Sequence, residues 1–193
     1  MRRMLSRRSS LLLPLVLAGC GGAKERFYPP LHYGYLTPLR LNVGAIQIDQ
    51  RYVPAGVAPD VSQLDPMPPI EALRNMATDR LLAFGGAGQA VFVIQEASLI
   101  RQRNTILGNF AVELDIYPSG PTRAAFAQAR VTRSYTGDVD DIASTLYDMT
   151  KAMMDTMNIE FEFQVRRSLR AFLLPEGASQ APVDQQPLST PSP

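Results

Sequence analysis

The chain has 193 residues, with 19 basic and 18 acidic side chains, one histidine, one cysteine and no tryptophan. Its near-neutral balance leaves no cationic footprint for nucleic acid, and a lone cysteine cannot close an internal disulfide, so the fold must be held by its core. With both ends set aside, the remainder has the length of one ordinary domain.

Met1 to Arg8 carry four arginines and no acid, and they lead into Leu11-Leu12-Leu13-Pro14-Leu15-Val16-Leu17. A cationic segment followed by a short apolar one is the order of a secretion signal. The apolar part falls short of the roughly 20 residues a membrane-spanning helix needs. Leu17, Ala18, Gly19 and Cys20 follow directly. This tetrapeptide resembles the bacterial lipobox, in which small residues precede a cysteine whose thiol receives a diacylglyceryl group. The resemblance implies that residues 1–19 are a cleaved signal peptide. It implies too that Cys20 becomes the acylated N-terminus, with that covalent lipid as the one non-protein group and no other cofactor. Ser6-Arg7-Arg8-Ser9-Ser10-Leu11 also resembles a twin-arginine export signal, with Ser10 where a Phe is usual. Loss of the four arginines leaves 15 basic against 18 acidic residues, a net charge of about −3.

Residues 20–38, punctuated by Gly21, Gly22, Pro29 and Pro30, read as a lipidated flexible tether. Arg40 to Asp49 alternate apolar and polar residues with a slip of phase at Gly44-Ala45, which a strand bulged at Gly44 explains. Five prolines between Val53 and Pro69 make a loop that leads into the first turn of a helix. In that helix Ile70, Leu73, Ala77, Leu81 and Phe84 form one apolar stripe, and Gly85-Gly86 is a fitting stop.

Ala90 to Ile94, with Ala97 and Leu99, predict a second strand. In a third, Phe110, Val112, Leu114 and Ile116 share one face and Ala111, Glu113, Asp115 and Tyr117 the other, the pattern of a sheet with one wet face. A turn at Pro118 to Pro121 joins it as a hairpin to a fourth strand, in which Ala125, Ala127, Ala129 and Val131 alternate with Phe126, Gln128, Arg130 and Thr132. Asp138, Asp140 and Asp141 then precede a long helical pattern from Asp141 toward Phe172, with Met149, Met153, Met154 and Met157 among its apolar positions. A helix of that length would span about 48 Å, so it is expected to overhang the sheet or to bend near Asn158. The domain, residues 39–174, is therefore expected to be α+β in the order β-α-β-β-β-α: a largely antiparallel four-stranded sheet with two helices on one face and a long C-terminal helix. Residues 175–193, rich in Pro, Ser, Gln and Ala, offer nothing to bury and read as a disordered tail.

The chemistry-bearing residues are few. His32, in the tether, has no second histidine or cysteine for a metal site and reads as an exposed linker residue. Gly85-Gly86-Ala87-Gly88 lacks the Lys-Ser/Thr ending and the strand-to-helix setting of a phosphate loop. Asp138, Asp140 and Asp141 lack the EF-hand pattern and suit helix capping, while Glu113 and Asp115 read as a solvated sheet face. No catalytic or metal-ligating set emerges. Met149, Met153, Met154 and Met157 suit the core first; adaptable thioethers also suit an apolar ligand or partner surface, against which an acyl chain would lie. Arg166, Arg167 and Arg170 suit the helix dipole, and anionic headgroups second.

The lipobox, the Pro- and Tyr-bearing tether and the β-α-β-β-β-α order resemble the auxiliary lipoproteins of MCE-type ABC transporters and the LptE-like lipopolysaccharide-assembly lipoproteins. Ala72 to Leu81 and Leu146 to Thr150 resemble segments of alphaproteobacterial lipoproteins of this general type. The resemblance implies a non-enzymatic accessory subunit of a lipid-transport or lipopolysaccharide-assembly system. It would be bound to the membrane through its N-terminal lipid and would work with an envelope transporter or outer-membrane protein. Gly21 after the cysteine resembles the outer-membrane class, facing the periplasm, since Asp at that place is the familiar inner-membrane retention signal. The alternatives are a general envelope-structural lipoprotein that binds a protein or cell-wall partner without lipid, and a hydrolase.

Overall fold

The computed structural model describes residues 26–175. The chain runs β1 (Leu39–Leu41), β2 (Ala45–Gln50), α1 (Pro69–Arg80), β3 (Leu81–Ala83), β4 (Gln89–Gln102), β5 (Thr105–Tyr117), β6 (Ala125–Thr136) and α2 (Ile142–Ser168). The main sheet has the order β2-β4-β5-β6. Its β4-β5 and β5-β6 pairs are antiparallel hairpins, and β2 lies parallel to β4, joined to it through α1. The mixed α+β architecture with a long C-terminal helix is that expected from the patterning.

β5 follows its alternation closely: Phe110, Val112, Leu114 and Ile116 are all fully buried. In β4 the register shifts between Ile94 and Glu96. That bulge is why Phe92 and Ile94 face the core on even positions and Ala97 and Leu99 on odd ones. α1 lies against β4, and α2 covers β5 and β6, with Phe92 and Phe161 meeting edge to face at 5.5 Å between centroids. The small Ala127 and Ala129 of β6 are buried beneath α2. Gly108 on β5 leaves room for two methionines: a Cβ there would stand 2.4 Å from Met153 Sδ and 2.9 Å from Met149 Cε, so the ends of those side chains would have to shift.

Three local expectations are corrected. The strand of residues 40–49 is two strands: β1 pairs with β3 in a separate parallel pair, and β2 joins the main sheet. The slip at Gly44 is a corner between sheets, where Gly44 N–H donates to the carbonyls of Ala87 and Gly88. The first helix ends at Arg80 instead of running to Phe84, because Leu81–Ala83 gains a strand partner in β1. Gly85 therefore stops no helix; it lets two loops touch, since a Cβ would lie 2.6 Å from the Asn42 and Val43 backbone. Lastly, α2 is one continuous helix that ends at Ser168, short of Phe172. Its 27 residues span about 40 Å, matched by the 12 to 14 residues of β4, β5 and β6, which at ~3.3 Å each reach a similar length.

Candidate functional site

Leu17, Ala18, Gly19 and Cys20 lie outside the described residues, as does the tail beyond Pro175. From Arg26 onward the expected flexible tether is an arm packed along the helices. Leu31 and Tyr33 are buried, the Tyr28 ring meets that of Tyr147 at 5.2 Å, and Tyr147 Oη donates to the Pro29 carbonyl at 2.8 Å. On the α1 side Asn75 Nδ2 donates to the Leu31 carbonyl, and Asp79 accepts from the Tyr33 N–H at 2.7 Å. Arg26 bonds Ser144 and reaches Asp148, which places the start of the arm at the first turns of α2. The arm thus runs from the beginning of α2 toward its far end, where β1 begins. Apolar anchors at Leu31 and Tyr33, two apart in an extended segment, are the signal that proline counting obscured.

Where the arm ends it closes over a buried cation. Arg80 is 1% exposed. Its guanidinium donates to the Thr37 carbonyl of the arm, to the carbonyl and side chain of Asn158, and to Glu162. Burial pushes the Glu162 pKa up, but the hydrogen bonds and charges of Arg80 and Arg166 outweigh it and hold the carboxyl below its ordinary value. Asn158, the expected bend, instead returns its Nδ2 to the Met154 carbonyl within an unbroken helix. Arg80 was legible in principle: it stands four residues after Met76 and seven after Leu73, on the buried stripe. Among the described residues Arg80 Nε and Tyr33 Oη are buried without a hydrogen-bond partner.

The four methionines are core. Met153, Met154 and Met157 are fully buried and Met149 is 5% exposed, so they offer no open surface to an acyl chain. Asp141 caps α2 as expected, accepting from Ser144 N–H at 3.1 Å. His32 is largely exposed, with Nδ1 3.2 Å from Asp79 Oδ2. Glu113 and Asp115 are not simply solvated: Asp115 is buried, and Arg123, from the turn before β6, bridges both carboxylates at 2.7 and 2.8 Å. Asp65, from the proline loop, is buried against α2. It accepts from Thr150 Oγ1 at 2.6 Å and Met67 N–H at 2.9 Å, and burial pushes its pKa up to about 6.

Among the described residues no cluster of three or more His, Cys, Asp or Glu side chains is placed to hold a metal, and no helix is long and apolar enough to cross a membrane. Clefts of about 210 to 280 Å³ open along the surface. What the geometry fixes is mechanical: a segment that leaves the domain at a defined place, clamped between two helices by aromatic packing and a buried arginine.

No family model matches the chain, and no curated protein does. Solved structures that match include a minor lipoprotein from Acinetobacter baumannii, at 14% identity and a TM-score of 0.35, covering 65% of this chain and 95% of that one. A candidate lipoprotein from Caulobacter crescentus CB15 matches at 11% identity and a TM-score of 0.34, covering 63% and 85%. Likeness at this level does not transmit function.

Proposed function

We propose that this protein is a lipid-anchored component of a bacterial envelope whose task is binding. In this reading it is an accessory subunit of a lipid-transport or lipopolysaccharide-assembly system at the periplasmic face of the outer membrane. The observation that carries the anchor is the run Leu17-Ala18-Gly19-Cys20 behind a cationic and apolar leader, with Cys20 the chain's only cysteine. The docked arm supports it: a lipid on Cys20 would hold a domain whose first residues are fixed to α2, so tethering also orients. The absence of a metal cluster among the described residues adds nothing either way; the reading of binding over catalysis rests on side chains already committed to capping, to ion pairs or to core.

Burial commits the methionine stripe to the core, so any partner is held elsewhere on the surface. Crosslinking in cells, followed by purification through the domain, tests the transport reading. Repeated recovery of an ABC-transporter, MCE or outer-membrane barrel component is the expected result. Recovery of cell-wall or structural proteins alone would move the assignment to a general envelope-interaction lipoprotein, and turnover of ester, peptide or glycoside substrates that a single substitution abolishes would overturn it.

A further inference from the structure

We infer that the anchored domain lies on its side, with the flank formed by the arm and α2 seated on the lipid surface. This rests on the proposal that Cys20 carries the lipid. Four large apolar side chains stand exposed along this flank: Phe27 (81%) and Tyr35 (76%) from the arm, Ile159 (74%) and Phe163 (54%) from α2. Tyr28 turns inward onto Tyr147 while its neighbour Phe27 is exposed. Tyr35 and Ile159 line one cleft with Asp155 and Glu162, and Phe163 follows Ile159 by one turn. Glu162 is already paired with Arg80 and Arg166. Beyond Phe163, the exposed Arg167 and Arg170 have stems long enough to reach headgroups.

The chain between Cys20 and the structure decides the occupant. Six peptide steps separate Cys20 from Arg26, at most about 20 Å when extended. Arg26 sits at Ser144, and Ile159 lies about 22 Å further along α2. The lipid therefore holds this flank at a high local concentration relative to the bilayer. The pole nearest the anchor is charged instead, with the exposed Asp138, Asp140 and Asp141 and, at the same end of the sheet, the exposed Arg103 and Arg133.

The chain from Cys20 onward, which keeps every described residue, can be coupled through its only thiol to a maleimide-headgroup lipid. The vesicles would be phosphatidylethanolamine and phosphatidylglycerol containing acyl-dibrominated lipid. Because the protein has no tryptophan, single probes report depth: Phe163→Trp on the flank, Asp140→Trp at the pole and Phe126→Trp on the outer sheet face. The flank probe should be quenched about two-fold or more, as for an indole ~5–10 Å into the headgroup boundary, and the other two little. Strongest quenching at the pole, or none at any probe, would overturn the side-on placement. So would concentration-dependent self-association of the uncoupled chain that Ile159→Ser abolishes, since the patch would then be a protein interface. The anchor here is supplied chemically, so an unacylated Cys20 in cells would refute the lipid-anchor proposal without changing the quenching, and the two failures are distinguishable.

Discussion

Asp65 makes the stability of the domain depend on pH in a direction opposite to that of most carboxylates. The side chain is 4% exposed, and its pKa is pushed from 3.8 to about 6 by burial, which outweighs the hydrogen bonds from Thr150 and Met67. A shift of about 2 units at ~1.4 kcal/mol each corresponds to about 3 kcal/mol. The folded state binds the proton more tightly than the unfolded one, so this contribution is fully present below pH 3.8. It is lost as pH rises through about 6, above which the fold carries a buried carboxylate. Glu162 has the opposite sign: its pKa is lowered, so its contribution is lost only as pH falls below the ordinary carboxylate range. In Asp65→Asn the amide oxygen keeps an acceptor for Met67 N–H, and its N–H₂ faces a Thr150 hydroxyl that accepts as well as donates. Urea denaturation from pH 4 to 7.5 should show the wild type losing up to ~3 kcal/mol relative to the variant as pH rises from 4 to 7. A difference between the two proteins that is flat with pH, or that favours the wild type at neutral pH, would refute the reasoning.

Other consequences follow from single contacts. Tyr33→Phe removes a buried hydroxyl that has no partner, so it should leave stability unchanged or raise it by about 1 kcal/mol in denaturant melts; a marked loss would reveal a bond the geometry does not contain. Arg80→Ala strands Asn158, Thr37 and Glu162. It should cost about 3–5 kcal/mol and speed hydrogen exchange across residues 26–38, whereas Arg166→Ala, at the exposed outer side of Glu162, should cost about 1 kcal/mol or less. Gly108→Ala drives a methyl into Met153 and Met149. It should destabilise by about 1–3 kcal/mol, and the double variant with Met153→Ala should lose less than the sum of the two singles.

The parts of the fold legible in sequence are those where one physical rule acts alone. β5 shows its wet and dry faces because period-two alternation is unopposed along it, and Asp141 shows itself as a cap because a helical stripe starts after it. The C-terminus of α1 is harder to read because Leu81 and Phe84 continue the helical spacing. What ends the helix is a distant partner, β1, whose pairing no local pattern encodes. The same holds for the arm: Pro29 and Pro30 speak for a tether, while the grip on Leu31 and Tyr33 comes from α1 and α2. Glu113 and Asp115 fall on the polar phase of β5, yet Arg123 reaches over from a turn and buries Asp115. The proposed lipobox at Leu17 to Cys20 is of another kind: it would be read by an enzyme and not by a fold, so its signal would be a linear string.

Mass spectrometry of the intact protein extracted from membranes of its native host tests the central claim most directly. The account predicts a mature chain that begins at Cys20, lacks residues 1–19 and carries a diacylglyceryl modification on the thiol. A membrane-extracted chain that keeps its leader, or one that begins elsewhere with Cys20 unmodified or absent, would contradict it.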